Sequence, residues 1–321
     1  NVSGIITAQN GINFNGTSTG LNVSGVTTVA DLTATTISIG GTLTYEDVTN
    51  VDSVGVVTAR GLSIFGNTTG LKVASGISTF QAVTGTTGTF TSDATINGIT
   101  VGKGANSQGN NTVLGVNALD ANTTGDYNVA IGLNALTDNT DGYSNTAIGY
   151  EAAPNTTSGN NNTAIGRETL FTNILGDRNV AIGYRSLYTY DRSTSHDSYN
   201  VGVGNESLYN TTTGAYNVSL GGLSLYTNAT GNNNVAVGYK ALYDNTASGN
   251  VAVGGHALEN NSTGAGNIAV GYASQLSNTT GNYNIAVGYD ALTANTTGYQ
   301  NTALGQNTLD ANTTGNNNVG L

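Results

Sequence analysis

The residues able to do chemistry are few in this chain. It has two histidines, His196 and His256, and no cysteine. Disulfide and thiolate chemistry are therefore excluded. Neither histidine stands in an H-E-x-x-H or H-x3-H spacing, the patterns that place two imidazoles on one zinc ion. The acidic residues number 19 and are scattered along the chain. A glycosidase needs two carboxylates about 5–10 Å apart in a cleft, and no pair stands out. An enzyme is not expected, nor a metal or cofactor.

One segment gathers side chains suited to recognition instead. Tyr188-Thr-Tyr-Asp-Arg-Ser-Thr-Ser-His-Asp-Ser-Tyr199 interrupts an otherwise regular repeat. Insertions in repeat proteins map to loops on one face, often the binding face. Tyr190, Arg192, His196 and Tyr199, with Asp191 and Asp197, mix aromatic and polar groups as sugar-binding surfaces do. They are the expected receptor-binding residues. The competing readings are a tolerated loop without function and a contact with a neighbouring subunit. His256 falls at the seventh place of its repeat unit, where other units carry Asn134, Glu151, Lys240 or Asp290. A place that varies in this way is expected to face solvent.

The elements that position these residues follow from the repeat. Asparagines at 111, 128, 145, 162, 179, 200, 217, 234, 250, 267, 284, 301 and 318 open twelve full units and a truncated thirteenth. The step is 17 residues except for one of 21 (Asn179 to Asn200) and one of 16 (Asn234 to Asn250). The unit Asn284–Gln300, NIAVGYDALTANTTGYQ, shows the consensus. Positions 2 and 4 are Val, Ile, Leu or Thr, and their period of two puts them on one face of a strand. Position 3 is Ala in most units, with Gly202 and Ser219 as departures. Its face is expected to carry small groups that admit another sheet or subunit. Glycine fills position 5 in all twelve full units, Gly115 to Gly305, which points to a positive φ or a tight backbone contact. Position 9 is Leu except at Ala153 and Gln275, and is expected to plug the coil interior. The N-x-T-G segment turns the chain.

A single unit cannot bury its own core, but stacked units can. Seventeen residues suit a flattened coil of two short strands and two turns. Coils stack about 4.8 Å apart, so twelve give a rod of roughly 58 Å. Position 1 then forms an asparagine ladder, as amides do in cross-β stacks. At position 10, Tyr188, Tyr209, Tyr226 and Tyr243 occur in successive coils and are expected to form a structural ladder of rings. The fold class expected is all-β, a parallel β-solenoid or β-roll of 17-residue coils over residues 106–321.

Residues 1–105 follow another rule. Gly4-Ile-Ile-Thr-Ala8 matches Gly55-Val-Val-Thr-Ala59, and Ser24-Gly-Val-Thr-Thr28 matches Ser75-Gly-Ile-Ser-Thr79, a repeat of about 51 residues. This region is expected to be a β-rich stalk packed between chains, with a junction at Gly102–Gly109.

Composition bounds the partners. Net charge is −11, with eight Lys and Arg in total. Nucleic-acid binding needs a basic patch to displace counterions from phosphate, and anionic lipid needs clustered cations, so neither partner is expected. No run of about 18 apolar residues exists, so no membrane insertion is expected of this segment.

The units Asn179-Val-Ala-Ile-Gly183 and Asn234-Val-Ala-Val-Gly238 resemble the head repeats of trimeric autotransporter adhesins, whose coils form a parallel β-roll. The stretches Asp31-Leu-Thr-Ala-Thr-Thr-Ile-Ser-Ile39 and Val51-Asp-Ser-Val-Gly-Val-Val-Thr-Ala59 resemble tail-fibre and structural proteins of tailed phages infecting cyanobacteria. The resemblance implies a homotrimeric attachment fibre on a virion surface, extracellular, partnered by itself and by a host-surface glycan or protein. The alternatives are a bacterial surface adhesin head and, from another class, a polysaccharide depolymerase.

Overall fold

A computed structural model describes residues 93–105, 110–191 and 197–321. The chain divides into two compact units at Val83/Thr84, and all described residues lie in the second. The expected stalk repeat of residues 1–92 lies outside the described residues. Among these residues the structure is all-β, a parallel solenoid of about 12 coils.

Strands β1 (Ala94–Ile96) and β2 (Ile99–Gly102) form a hairpin, and β2 runs antiparallel to β3 (Thr112–Gly115). From β3 onward every strand is parallel to the next, through β4 (Val129–Ile131) to β15 (Val319–Gly320). The hairpin therefore covers the edge of the first coil, where ladder groups would otherwise stand open. The Asp93 carboxylate fixes it by accepting the Lys103 and Gly104 N–H groups, both at 2.7 Å.

Register is set by repeat position throughout. Val129, Ala130 and Ile131 pair with Thr146, Ala147 and Ile148. Pairing stays in phase across the 21-residue step, with Val180 opposite Val201, and across the 16-residue step, with Val235 opposite Val251.

Each coil holds one short strand, of three residues from β4 to β14, not two. The second straight segment fails because positions 7 and 9 adopt left-handed backbone, as at Asn134 (φ 57°) and Leu136 (φ 49°). Their N–H groups still bond to neighbouring coils. Asn134 donates to the Val116 carbonyl at 3.0 Å, and Leu136 to that of Ala152 at 3.1 Å. A left-handed Leu costs about 1–2 kcal/mol, whereas burying its side chain returns about 1.5–3 kcal/mol. Leu136 is fully buried, as are Leu187, Leu225 and Leu292. Burial wins, and position 9 is the interior plug.

The strand faces are the reverse of the expectation. Alanine at position 3 faces inward: Ala130, Ala147 and Ala236 have no exposed surface. Positions 2 and 4 face out and are half-exposed, as at Val129 and Ile131. The reason is volume. Leu from position 9 and Asn from positions 1 and 12 already fill the coil, so only a methyl group fits opposite them. Gly202 marks the limit, since a Cβ there would lie 2.6 Å from the Ser186 hydroxyl.

Glycine at position 5 has both properties anticipated for it. Gly221 has φ 147°, and a Cβ would fall 2.4 Å from the Gly238 carbonyl oxygen in the next coil. Two asparagine columns complete the interior. At position 1 each side-chain Oδ1 accepts the backbone N–H of its successor, as Asn128 does from Asn145 at 2.9 Å. Its Nδ2 donates to the Gly142 carbonyl at 2.8 Å. At position 12, Asn139 Nδ2 donates to Asn122 Oδ1 at 3.2 Å and to the same Gly142 carbonyl at 3.1 Å. Of the two exceptional plugs, Gln275 donates to the Ile268 carbonyl at 2.8 Å, and Ala153 leaves the core thin.

Candidate functional site

Positions 6, 7 and 10 share one outer face, and its chemistry is aromatic and ionic. Phe171, Tyr188, Tyr209, Tyr226 and Tyr243 stack in one column, with centroids 5.0 to 5.1 Å apart and planes within 14° of parallel. The four tyrosines expected there are joined by Phe171. The spacing follows from the coil rise and lies within the range for offset aromatic pairs.

Glu168 lies beside this column with its side chain 7% exposed, held by Arg167 at 2.7 Å and Arg185 at 2.6 Å. Burial opposes its ionisation, but the hydrogen bonds from the two arginines outweigh this and hold the carboxyl below its ordinary 4.5. Arg167 also lies over the rings of Tyr150 and Tyr184, 5.4 and 5.7 Å from their centroids, a cation–π arrangement. A second group follows four coils along. Glu259 accepts from Lys240 at 3.1 Å and pairs with His256 Nδ1 at 2.6 Å. The His256 ring sits edge-on between Tyr239 and Tyr272, 5.5 Å from each. His256 is therefore on the outer face expected of position 7, half-buried by the flanking rings. Its coil has Gly255 at position 6, and the imidazole occupies the gap in the ring column.

Of the four expected receptor-binding residues, Tyr190 and Tyr199 lie among the described residues. Tyr190 is fully buried. It occupies position 12 of its coil, where Asn173 stands in the coil before, so its side chain belongs to the core and presents nothing to a ligand. Tyr199 is 45% exposed, with Arg178 over its ring at 5.3 Å and Tyr216 stacked at 5.6 Å. Arg178 also pairs with Asp197. Arg192 and His196 lie outside the described residues.

No protein family, curated protein or solved structure matches the chain. The site must be read from its own geometry.

Among the described residues, no group of three or more His, Asp or Glu side chains is placed to hold a metal ion. Two cavities lie where the aromatic column ends. One, of about 250 Å³, is lined by Phe171, Pro154, Asn155, Asp138, Glu151, Asn134 and Thr137. The other, of about 370 Å³, is lined by Asp138, Asn155, Thr157, Thr172, Ile174 and Asp191. Sequence reasoning missed both. The signal was present at Ala153 and Pro154, adjacent departures from the consensus one coil before Phe171.

Among the described residues, the outward strand face is an apolar feature that runs through the coils. Position 4 is aliphatic in every full coil, from Leu114 to Leu304, and position 2 is Val, Ile or Thr. Leu220 and Leu304 are each 40% exposed. No charged residue interrupts either column. An exposed aliphatic column of this length at position 4 is a candidate interaction surface.

Proposed function

We propose that this chain is the structural and recognition part of a homotrimeric attachment fibre on a virion surface, reaching out to the surface of a host cell. The observation that carries the reading is the outward strand face, with an unbroken aliphatic column at position 4 and an uncharged column of Val, Ile and Thr at position 2. Those columns gain stability when covered, at about 25 cal/mol per Å² of apolar surface removed from water.

The partner is a second and third copy of the chain. Every link of the position 1 ladder runs in the same direction, so the coil stack is polar. A two-fold axis across the rod would set two stacks antiparallel and give a fibre without a distinct base and tip. Cyclic symmetry about the rod axis keeps all chains parallel, and three chains turn their aliphatic faces to one centre. The aromatic and ionic face at positions 6, 7 and 10 is then left outward for recognition. Low charge and a net −11 keep this surface from nonspecific adhesion to nucleic acid.

An antibody raised against residues 111–321 tests the reading. It is expected to label fibres projecting from virions in electron micrographs and to block adsorption to cells. Labelling confined to the interior of particles or cells would overturn it.

A further inference from the structure

The aromatic column stops at Phe171. One ring face stacks on Tyr188 at 5.0 Å, and in the next coil the same position is Pro154, which together with Phe171 lines the cavity of about 250 Å³. A column of rings that ends against open space leaves a stacking platform. Asp138 and Asn155 line this cavity and also the second one, of about 370 Å³, that reaches Asp191. The two spaces therefore flank one pair of polar side chains.

We infer that these cavities are two adjacent subsites for a neutral glycan. One hexose unit lies with its C–H face against Phe171, and the next lies against Thr157 and Ile174. Sugar C–H groups are weakly positive and meet the negative face of an aromatic ring. Sugar hydroxyls donate to carboxylate oxygens in charge-assisted hydrogen bonds. Asp138 and Glu151 supply acceptors on the Phe171 side, and Asp191 does so on the other. Asn155 has its amide fixed, with Nδ2 donating to the Phe171 carbonyl at 2.6 Å.

Charge decides the class of sugar. Three carboxylates line the two cavities, and none of the described lining residues is basic. A uronic or sialic acid would bring a fourth negative charge beside these three carboxylates. Neutral hexoses are accepted and acidic ones rejected.

This inference names the recognition site of the attachment fibre and rests on that reading. The test is a calorimetric titration of the full chain with neutral disaccharides and with their uronic-acid counterparts. Saturable binding of at least one neutral disaccharide is expected, with the acidic counterpart at least about tenfold weaker, a difference of one factor of ten in affinity. Phe171→Ala is expected to weaken binding about tenfold, consistent with the loss of one aromatic contact. Asp138→Ala, at an exposed side chain, is expected to do the same in a chain whose fold is undisturbed. No neutral disaccharide binding, or affinities unchanged in both variants, would overturn the inference. Adsorption to cells is scored separately. Adsorption that persists in both variants removes the site and leaves the fibre reading standing. Disaccharide binding without adsorption removes the fibre reading and leaves the site.

Discussion

The side-chain oxygen of Asn179 accepts the backbone N–H of Asn200 at 3.2 Å. Twenty-one residues separate the two, yet the link matches that between Asn162 and Asn179 at 3.0 Å, one regular coil earlier. The asparagine ladder thus passes the insertion unbroken, as does the strand register. The coil absorbs its four extra residues without transmitting them to its neighbours.

Deleting Ser193 to His196 returns this coil to 17 residues. The melting temperature is expected to stay within a few degrees of the parent, because halving the length of a connecting segment changes closure entropy by only about 0.6 kcal/mol. Thermal unfolding followed by circular dichroism checks this, and a loss of ladder cooperativity would contradict it.

Cutting the ladder itself has a different cost. Asn234 accepts from Asn250 N at 3.0 Å and donates to the Ala247 carbonyl at 2.8 Å and to Asn217 Oδ1 at 3.2 Å. Asn234→Ala leaves buried groups without partners, at about 1–3 kcal/mol each. Chemical denaturation is expected to show a loss in that range or above. A change below about 0.5 kcal/mol, the size of an ordinary surface substitution, would mean that water replaces the amide.

The assignment of faces separates two substitutions one residue apart. Ala236→Leu adds volume to a filled coil, and overpacking of this kind costs about 1–3 kcal/mol. Val237→Thr changes an outward side chain and is expected to leave the stability of the single coil stack nearly unchanged. If the two effects were reversed in denaturation experiments, Ala236 would face out after all.

Acid is expected to loosen the ionic face. Burial raises the pKa of Glu168 and of Glu259, but hydrogen bonds from Arg185 and Arg167 in the first case, and from His256 and Lys240 in the second, bring both below 4.5. A carboxylate depressed in the folded state contributes stability above its unfolded pKa and loses it as pH falls through the folded value. Melting temperature is therefore expected to hold down to about pH 4.5 and to fall below it, with Glu168→Gln reducing that slope. A melting temperature that rises on acidification contradicts these pairs.

The solenoid was legible because its spacing is one-dimensional information: a fixed Asn, Gly and Leu every 17 residues imply stacking and ladders. Which strand face turned inward was not, because a period of two separates Ala130 from Val129 and Ile131 without saying which side is enclosed. The volume of Leu136 and the asparagines decides that, and it enters only once the coil is closed. Tyr190 was misplaced for a different reason. The insertion drew attention as a loop, although counting from Asn179 puts Tyr190 at the place of the position 12 asparagine. The paired cavities depend on the contrast between Pro154 and Phe171 in adjacent coils, which becomes visible when the coils are stacked.

The most direct test of the account is the mass of the folded particle in solution, measured by light scattering on the full chain and on an Ile165→Asp, Val203→Asp double variant. The account predicts three chain masses for the parent and one for the variant, with the same β-sheet circular dichroism in both. A folded parent at one chain mass would contradict it.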